Sequence, residues 1–367
     1  MQRRSCLWAL GAFGGYAALP CIATDARAAS SALRFPADFG AHPQSRTEWW
    51  YITGSLQHGE RLFGFQITFF RSATGIPADH PSRFAASQLV FAHAALSDIA
   101  GQRLRHDQRI ARAGFGVADA ALGDTRLRLR DWHLEREPSG NDSGDAAPSR
   151  YRAGMTSATA AFGFELALAT DAQPLLQGDA GVSHKGPLPG ETSRYYSRPQ
   201  LDARGTVQLD GKSLPVTGRA WLDHEWSDSF LPAGSVGWDW IGINLADGGA
   251  LTAFRLRRAD GGSLYAGGSH RSAAGTLRVF ASDEVRFEPQ RRWRSAASGA
   301  TYPVDWLVET PAGRHRVHAL LDAQELDSRS GTGAVYWEGL SDLFDANGAR
   351  VGRGYLEMTG YAGTLRI

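Results

Sequence analysis

A weak internal repeat constrains this chain more than any single motif. Trp49, Tyr51, Leu56, Gly59, Leu62 and Phe65 match Trp238, Trp240, Leu245, Gly248, Leu251 and Phe254 at one constant offset. Each set reads as an aromatic strand, a tight turn with glycine and the returning strand of a hairpin. Further on, Gly218-Arg219-Ala220-Trp221-Leu222-Asp223 matches Gly352-Arg353-Gly354-Tyr355-Leu356-Glu357, the closing strand of each copy. Tyr195-Tyr196 and Tyr336-Trp337 precede these two segments in corresponding places.

Between the anchors lie short runs rich in Val, Leu, Ile and aromatics, separated by Gly, Asp, Asn and Pro. Regular spacing with turn signals predicts an all-β sandwich or barrel, and no stretch sustains a helical period. At 367 residues the chain suits two domains. The repeat divides it into one β unit over 31–226 and a second over 227–367. With about eight strands, each unit has the size that closes into a small barrel holding one ligand. The polar stretch 141–149 reads as a solvated loop.

The N-terminus carries Arg3-Arg4-Ser5-Cys6-Leu7, then a Gly-interrupted apolar run, then Ala26-Arg27-Ala28. These features predict a signal peptide over 1–28 and a periplasmic product. The arginine pair, the weak apolar run and the arginine near the cleavage site favour the twin-arginine route over the general secretory one. Cys6 and Cys21 are the two cysteines of the chain. Both fall in this leader, so a mature chain would have no disulfide, thiol nucleophile or Cys-ligated metal. No later apolar run approaches the roughly 20 residues needed to span a bilayer as a helix.

Lys and Arg total 39 against 38 Asp and Glu, which leaves no electrostatic footprint for nucleic acid. A hydrophobic small molecule or lipid is the partner this composition favours. Lys185 and Lys212 are the two lysines, so a Schiff-base nucleophile has almost no candidates.

Candidate chemistry concentrates in 218–240, with four Trp, three Asp, a His and a Glu. The segment 220–226 reads as a strand, whose period places Trp221, Asp223 and Glu225 on one face and Leu222, His224 and Trp226 on the other. Such a cluster fits a hydrogen-bonded structural corner or a site. Glu48 beside Trp49, Trp50 and Tyr51 offers a carboxyl whose solvation by water the aromatic rings would reduce, raising its pKa; bonding to backbone or Arg is the alternative. His93 in an apolar strand reads as a core histidine, and 184–186 as a lid over a barrel mouth or a plain loop. No nucleophile elbow, zinc motif or phosphate cradle occurs, so neither metal nor cofactor is expected. If the two opening strands and 221–226 converge, Trp49, Trp50, Tyr51, Trp226, Trp238 and Trp240 would line one large apolar cleft.

Read together, EWWYITGSL, FGFQITFFR, FAHAALSD, GVSHKG, RYYSRP, GRAWLDHEWSD, GWDWIGINLADGG, YWEG and GYLEMTGY resemble the AttH-like secreted proteins of the carotenoid 1,2-hydratase superfamily. The resemblance covers roughly Pro36 to Tyr361. It implies two lipocalin-like barrels packed together with a ligand cleft near their junction. Relatives include carotenoid hydratases, which add water to a double bond without cofactor, and fungal pericyclases; bacterial members tend to be encoded beside ABC-type exporters. Carried over, the pattern puts the functional His on His224 and pocket aromatics on Trp226 and Glu48-Trp49-Trp50. Where the hydratases carry a Tyr and an Asp, this chain has Leu251-Thr252-Ala253-Phe254-Arg255-Leu256. The expectation is therefore an apolar-ligand protein with acid-base groups Asp223, His224, Glu225 and Glu48, acting as a hydratase or hydrolase. The alternative is a lipophilic carrier or accessory factor of an ABC-type exporter.

Overall fold

The computed structural model describes residues 32–137, 148–229, 231–329, 331 and 333–363. The expected signal peptide and residues 141–147 of the polar loop lie outside them.

The repeat becomes two large antiparallel sheets. The first runs Arg103–Arg112, Gln88–Asp98, Arg61–Ala73, Thr47–His58, Lys212–Ser227, Thr192–Leu209, Phe162–Thr170, Ser149–Ser157, Trp132–Glu137, Arg126–Leu129, Ala118–Ala120. Its last strands return against Gln88–Asp98 and Arg103–Arg112, which nearly closes a barrel. The second runs Leu277–Phe280, Ser263–Arg271, Ala250–Arg257, Gly237–Leu245, Arg350–Met358, Ala334–Phe344, Gly313–Ala319, Asp305–Thr310, Arg286–Pro289. Thirteen and ten strands exceed the eight or so expected, because short edge and flanking segments also pair. The fold is thus all-β, two lipocalin-like barrels in tandem. Among the described residues, the helical pieces are 3-10 turns at Ala37–Phe39 and Ser282–Glu284.

Each repeat opens as the sequence suggests. Thr47–His58 and Arg61–Ala73 form one hairpin and Gly237–Leu245 and Ala250–Arg257 the other. Gly59 and Gly248 take φ of 56° and 95° at the two turns, a region that suits residues without a Cβ. The closing strands match as well: Lys212–Ser227 pairs with the first opening strand, and Arg350–Met358 with the second.

Thr47–His58 is buried on both faces for most of its length, which explains its unbroken apolar run. One face, with Trp50, Ile52 and Leu56, fills the first barrel. The other, with Tyr51, joins Trp221, Trp240, Phe254, Leu340 and Tyr355 in a cluster shared by both sheets. The sheets approach closely there: a Cβ on Gly64 would lie 2.7 Å from the Tyr355 hydroxyl and 2.9 Å from Leu340. Gln177 satisfies polar groups of both sheets, donating to Ser197 at 2.9 Å and accepting from Ser269 at 2.8 Å.

Candidate functional site

Pleating decides which side chains of the closing strands reach the space between the sheets. In the first sheet Asp223 lies opposite Tyr51 and Ser197, and Glu225 opposite Trp49 and Tyr195. In the second, Glu357 lies opposite Trp240 and Glu338. All these residues except Ser197 line one cavity of about 130 Å³, together with His93, Lys185, Trp238, Phe254 and Tyr336. That volume is comparable to a dry cavity of roughly 150 Å³ known to take benzene.

The cavity gathers four carboxyls and, among the described residues lining it, one Lys or Arg. Lys185 Nζ lies 2.8 Å from Glu225 Oε1 and 4.7 Å from the ring centroids of both Tyr195 and Phe254. Asp223 Oδ1 accepts from the Ser197 hydroxyl at 2.5 Å and the Trp221 indole at 2.7 Å. Burial pushes the Asp223 carboxyl up to about 7, although these neutral donors and Tyr195 work to lower it. Burial likewise drives Glu357 up to about 7, opposed by the Trp238 indole and reinforced by the charges of Asp223 and Glu225. Glu338 is held well above the usual carboxylate range by burial and by Glu357 across the strand pair. Two carboxyls facing each other in so dry a place cannot both ionise at modest cost, so this pair retains a proton near neutrality.

Buried polar atoms of the wall without a close hydrogen bond are Tyr51 Oη, Glu338 Oε1 and His93 Nε2, and Glu225 Oε1 meets only the Lys185 ammonium. The other nitrogen of His93, Nδ1, lies 2.8 Å from the Tyr336 hydroxyl. Burial lowers the His93 pKa to about 3, which leaves the ring neutral.

The opposite face of the same strands carries a separate network inside the first barrel. Glu48 Oε1 meets His42 Nδ1 at 2.7 Å and His224 Nε2 at 2.8 Å, while Oε2 accepts from Arg71 Nε at 2.8 Å and the His42 amide at 2.9 Å. His224 stacks on Trp50 at 4.4 Å, and His42 on Trp226 at 3.7 Å. Burial opposes ionisation of Glu48, but the hydrogen bonds from His224 and His42 prevail and hold its pKa at about 2. His42, Glu48 and His224 each bring a donor atom within 4.8 Å of the others, a spacing a metal ion could use. The Glu48 oxygen is closer to both imidazoles than the roughly 3.3 Å between ligands of a tetrahedral zinc. The guanidinium on its second oxygen also competes with a cation. The donor set therefore suits a closed ion-pair network better than a metal.

The structure splits the sequence-derived candidates by this alternation. Asp223, Glu225, Trp49, Tyr51, Trp238 and Trp240 line the cavity. Glu48, Trp50, His224 and Trp226 point into the first barrel, so Trp226 and Trp49 do not share a cleft. Glu48 is stabilised as a carboxylate there, the reverse of the raised pKa expected of an acid among rings. His224, out of phase with 223 and 225, lies in the buried hydrogen-bond network around Glu48 inside the first barrel and does not reach the cavity.

Sequence reasoning gave no site role to Tyr195, Tyr336, Glu338 and Glu357, read His93 as a core histidine, and left Lys185 in a lid or a plain loop. A signal for Glu357 was present, since the repeat aligns it with Asp223. The same alignment carries Tyr195 onto Tyr336. His93 looked like core because its strand is apolar on both faces.

The AttH-like family model matches residues 26–361. An AttH protein of solved structure from Nitrosomonas europaea is 45% identical, with 91% of this chain and 98% of that chain covered and a TM-score of 0.82. Kievitone hydratase from Nectria haematococca is similar at 13% identity, over 92% of this chain and 95% of that one, with a TM-score of 0.69. No curated protein matches the sequence.

Proposed function

Since the chain belongs to the AttH-like family, we propose that it is a cofactor-independent hydratase-type enzyme acting on an apolar molecule between its two barrels. Likeness to kievitone hydratase at 13% identity sets the fold and leaves the reaction to be argued from the site. The observation that carries the reading is that Asp223 and Glu357, equivalent positions of the repeat, reach one aromatic-walled cavity with carboxyls poised at about 7.

Two carboxyls of that pKa are suited to give and take protons at neutral pH. The Glu338–Glu357 pair keeps a proton and supplies the acid. Asp223, whose ionised form is favoured by the neutral donors Ser197, Trp221 and Tyr195, serves as the base. Glu357 delivers its proton to one carbon of a double bond, forming a C–H bond and leaving the neighbouring carbon cationic. Water adds there as Asp223 takes one of its protons, so the sum is alkene plus water to alcohol. Aromatic faces of Trp49, Trp238 and Trp240 favour the intermediate positive charge. A proton then returns from Asp223 to Glu357 through water, restoring the starting state.

Action after export to the periplasm and domain limits at 31–226 and 227–367 belong to the same proposal, supported in turn by the arginine pair and the change of sheet between Ser227 and Gly237; a carrier or accessory factor of an ABC-type lipid exporter is the alternative reading. The test begins with mass spectrometry of apolar molecules that co-purify with the protein. These are then incubated with it in heavy-oxygen water. Incorporation of the label that is lost in Asp223→Asn and Glu357→Gln supports the hydratase. Stoichiometric co-purification with no label in any product assigns the protein to the carriers instead.

A further inference from the structure

Asp223, Glu338 and Glu357 have no cationic partner among the described residues lining the cavity; its single Lys or Arg, Lys185, is paired with Glu225. Glu338 is 3% exposed, and against the burial and the Glu357 charge that raise its pKa only the neutral Tyr51 hydroxyl works to lower it. A neutral ligand would bring these acids no counter-charge, whereas a cationic group on an apolar body would.

Lys185 demonstrates how the walls accommodate a positive charge. Its ammonium is held by a carboxylate at 2.8 Å and by two ring faces at 4.7 Å, the composition of an aromatic cage for ammonium ions. The rest of the cavity repeats this composition with the position of the ammonium left open: Trp49, Trp238 and Trp240 for rings, Asp223, Glu338 and Glu357 for acids. We infer that the cavity is a receptor for an organic ammonium ion carried on an apolar body about the size of one ring. The inference shares the cavity of the proposed function and none of its chemistry.

Binding of such an ion must change the protonation of the wall. The titratable groups facing the site are Asp223 and Glu225 from one closing strand, Glu357 from the other, Glu338, His93, and Lys185. Tyr51, Tyr195 and Tyr336 complete the set and stay neutral, their pKa values raised by burial. His93 stays neutral as well. An entering cation therefore expels a proton from the acids, and its affinity rises with pH, by up to about tenfold per unit for one proton released.

The probes are 2-phenylethylamine, charged throughout pH 6 to 8, and 2-phenylethanol, its neutral counterpart of the same size. Titration by Trp fluorescence should give the amine at least about tenfold tighter binding at pH 8, with affinity falling toward pH 6 while that of the alcohol stays constant. Calorimetry in two buffers of different ionisation enthalpy should report proton release for the amine alone. Glu338→Gln should weaken the amine about tenfold and leave the alcohol unchanged. Alcohol binding as tight as the amine across this range, or indifference of the amine to Glu338→Gln, overturns the inference and leaves the hydratase reading standing. Failure of both probes to bind would remove the inference and the ring-sized apolar site together.

Discussion

Replacing Asp223 with Asn should make the protein more stable above neutral pH, and the amount can be worked from the site. Burial moves the carboxyl from 3.8 to about 7 in the folded state. Between those values the native state holds a proton that the unfolded chain has released, so stability falls as pH rises through the interval and is level beyond it. At about 1.36 kcal/mol per unit, the native state carries a penalty on the order of 4 kcal/mol above pH 7. Asn keeps the acceptor for Ser197 and Trp221 and carries no charge, so it escapes that penalty. Urea unfolding at half-unit steps from pH 4 to pH 9 should show no difference near pH 4. A gap in favour of the variant should then open at up to about 1.4 kcal/mol per unit and close to a plateau past pH 7. A variant less stable by the same amount at every pH would refute the reasoning. It would mean that Asp223 is an ordinary ionised carboxylate held by its donors, and the acid-base assignment would go with it. The same substitution should end heavy-oxygen incorporation, so this residue trades stability for chemistry.

Other expectations follow from the opposite face and from the leader. Glu48→Gln should cost about 3–5 kcal/mol at neutral pH by stranding Arg71 and His42. Because Glu48 is held at about 2 against an ordinary 4.5, that loss should vanish as pH drops from 4.5 toward 2, measured by denaturant unfolding across that range. His224→Ala should lower stability by roughly 3–5 kcal/mol through the space left between Trp50 and Trp226. Its folded fraction should bind ligand normally, and a fully stable variant lacking turnover would return His224 to the chemistry. Trp49→Ala should weaken binding of an aromatic probe by about 1–2 kcal/mol and reduce fluorescence quenching, whereas the equally aromatic Trp50 should affect melting temperature instead. Changing Arg3 and Arg4 to Lys should block export, read by cell fractionation; continued export through the general secretory channel would contradict the twin-arginine route.

The repeat alone foretold most of the architecture, because strands that begin with Trp-x-Trp or Trp-x-Tyr and close with Gly-Arg-x-aromatic-Leu-acid can pair in few ways. Period-two alternation also separated Asp223 and Glu225 from His224 correctly. What it could not supply was which face met the second barrel. In an ordinary barrel strand one face is core and the other solvent, and hydropathy tells them apart. Here both faces of Thr47–His58 are dry, so Trp49 and Trp50 look alike in sequence while lying on opposite sides of the sheet. Lys185 was only half legible for a different reason: the choice between a lid and a plain loop at 184–186 depends on pairing of Val182–His184 with Thr192–Leu209, a contact no local pattern announces.

The two halves differ at one telling place. Counting from the aligned tyrosines, Ser197 in the first repeat corresponds to Glu338 in the second. A hydroxyl therefore adjoins Asp223 where a carboxyl adjoins Glu357. Had both halves kept the same neighbour, the cavity would be a two-fold socket, and a guest could enter either way round. The mismatch gives the socket a head and a tail. In the proposed hydration, a double bond held across it would meet a proton donor at one end and a proton acceptor at the other, so the alcohol formed should be a single regioisomer of a single hand.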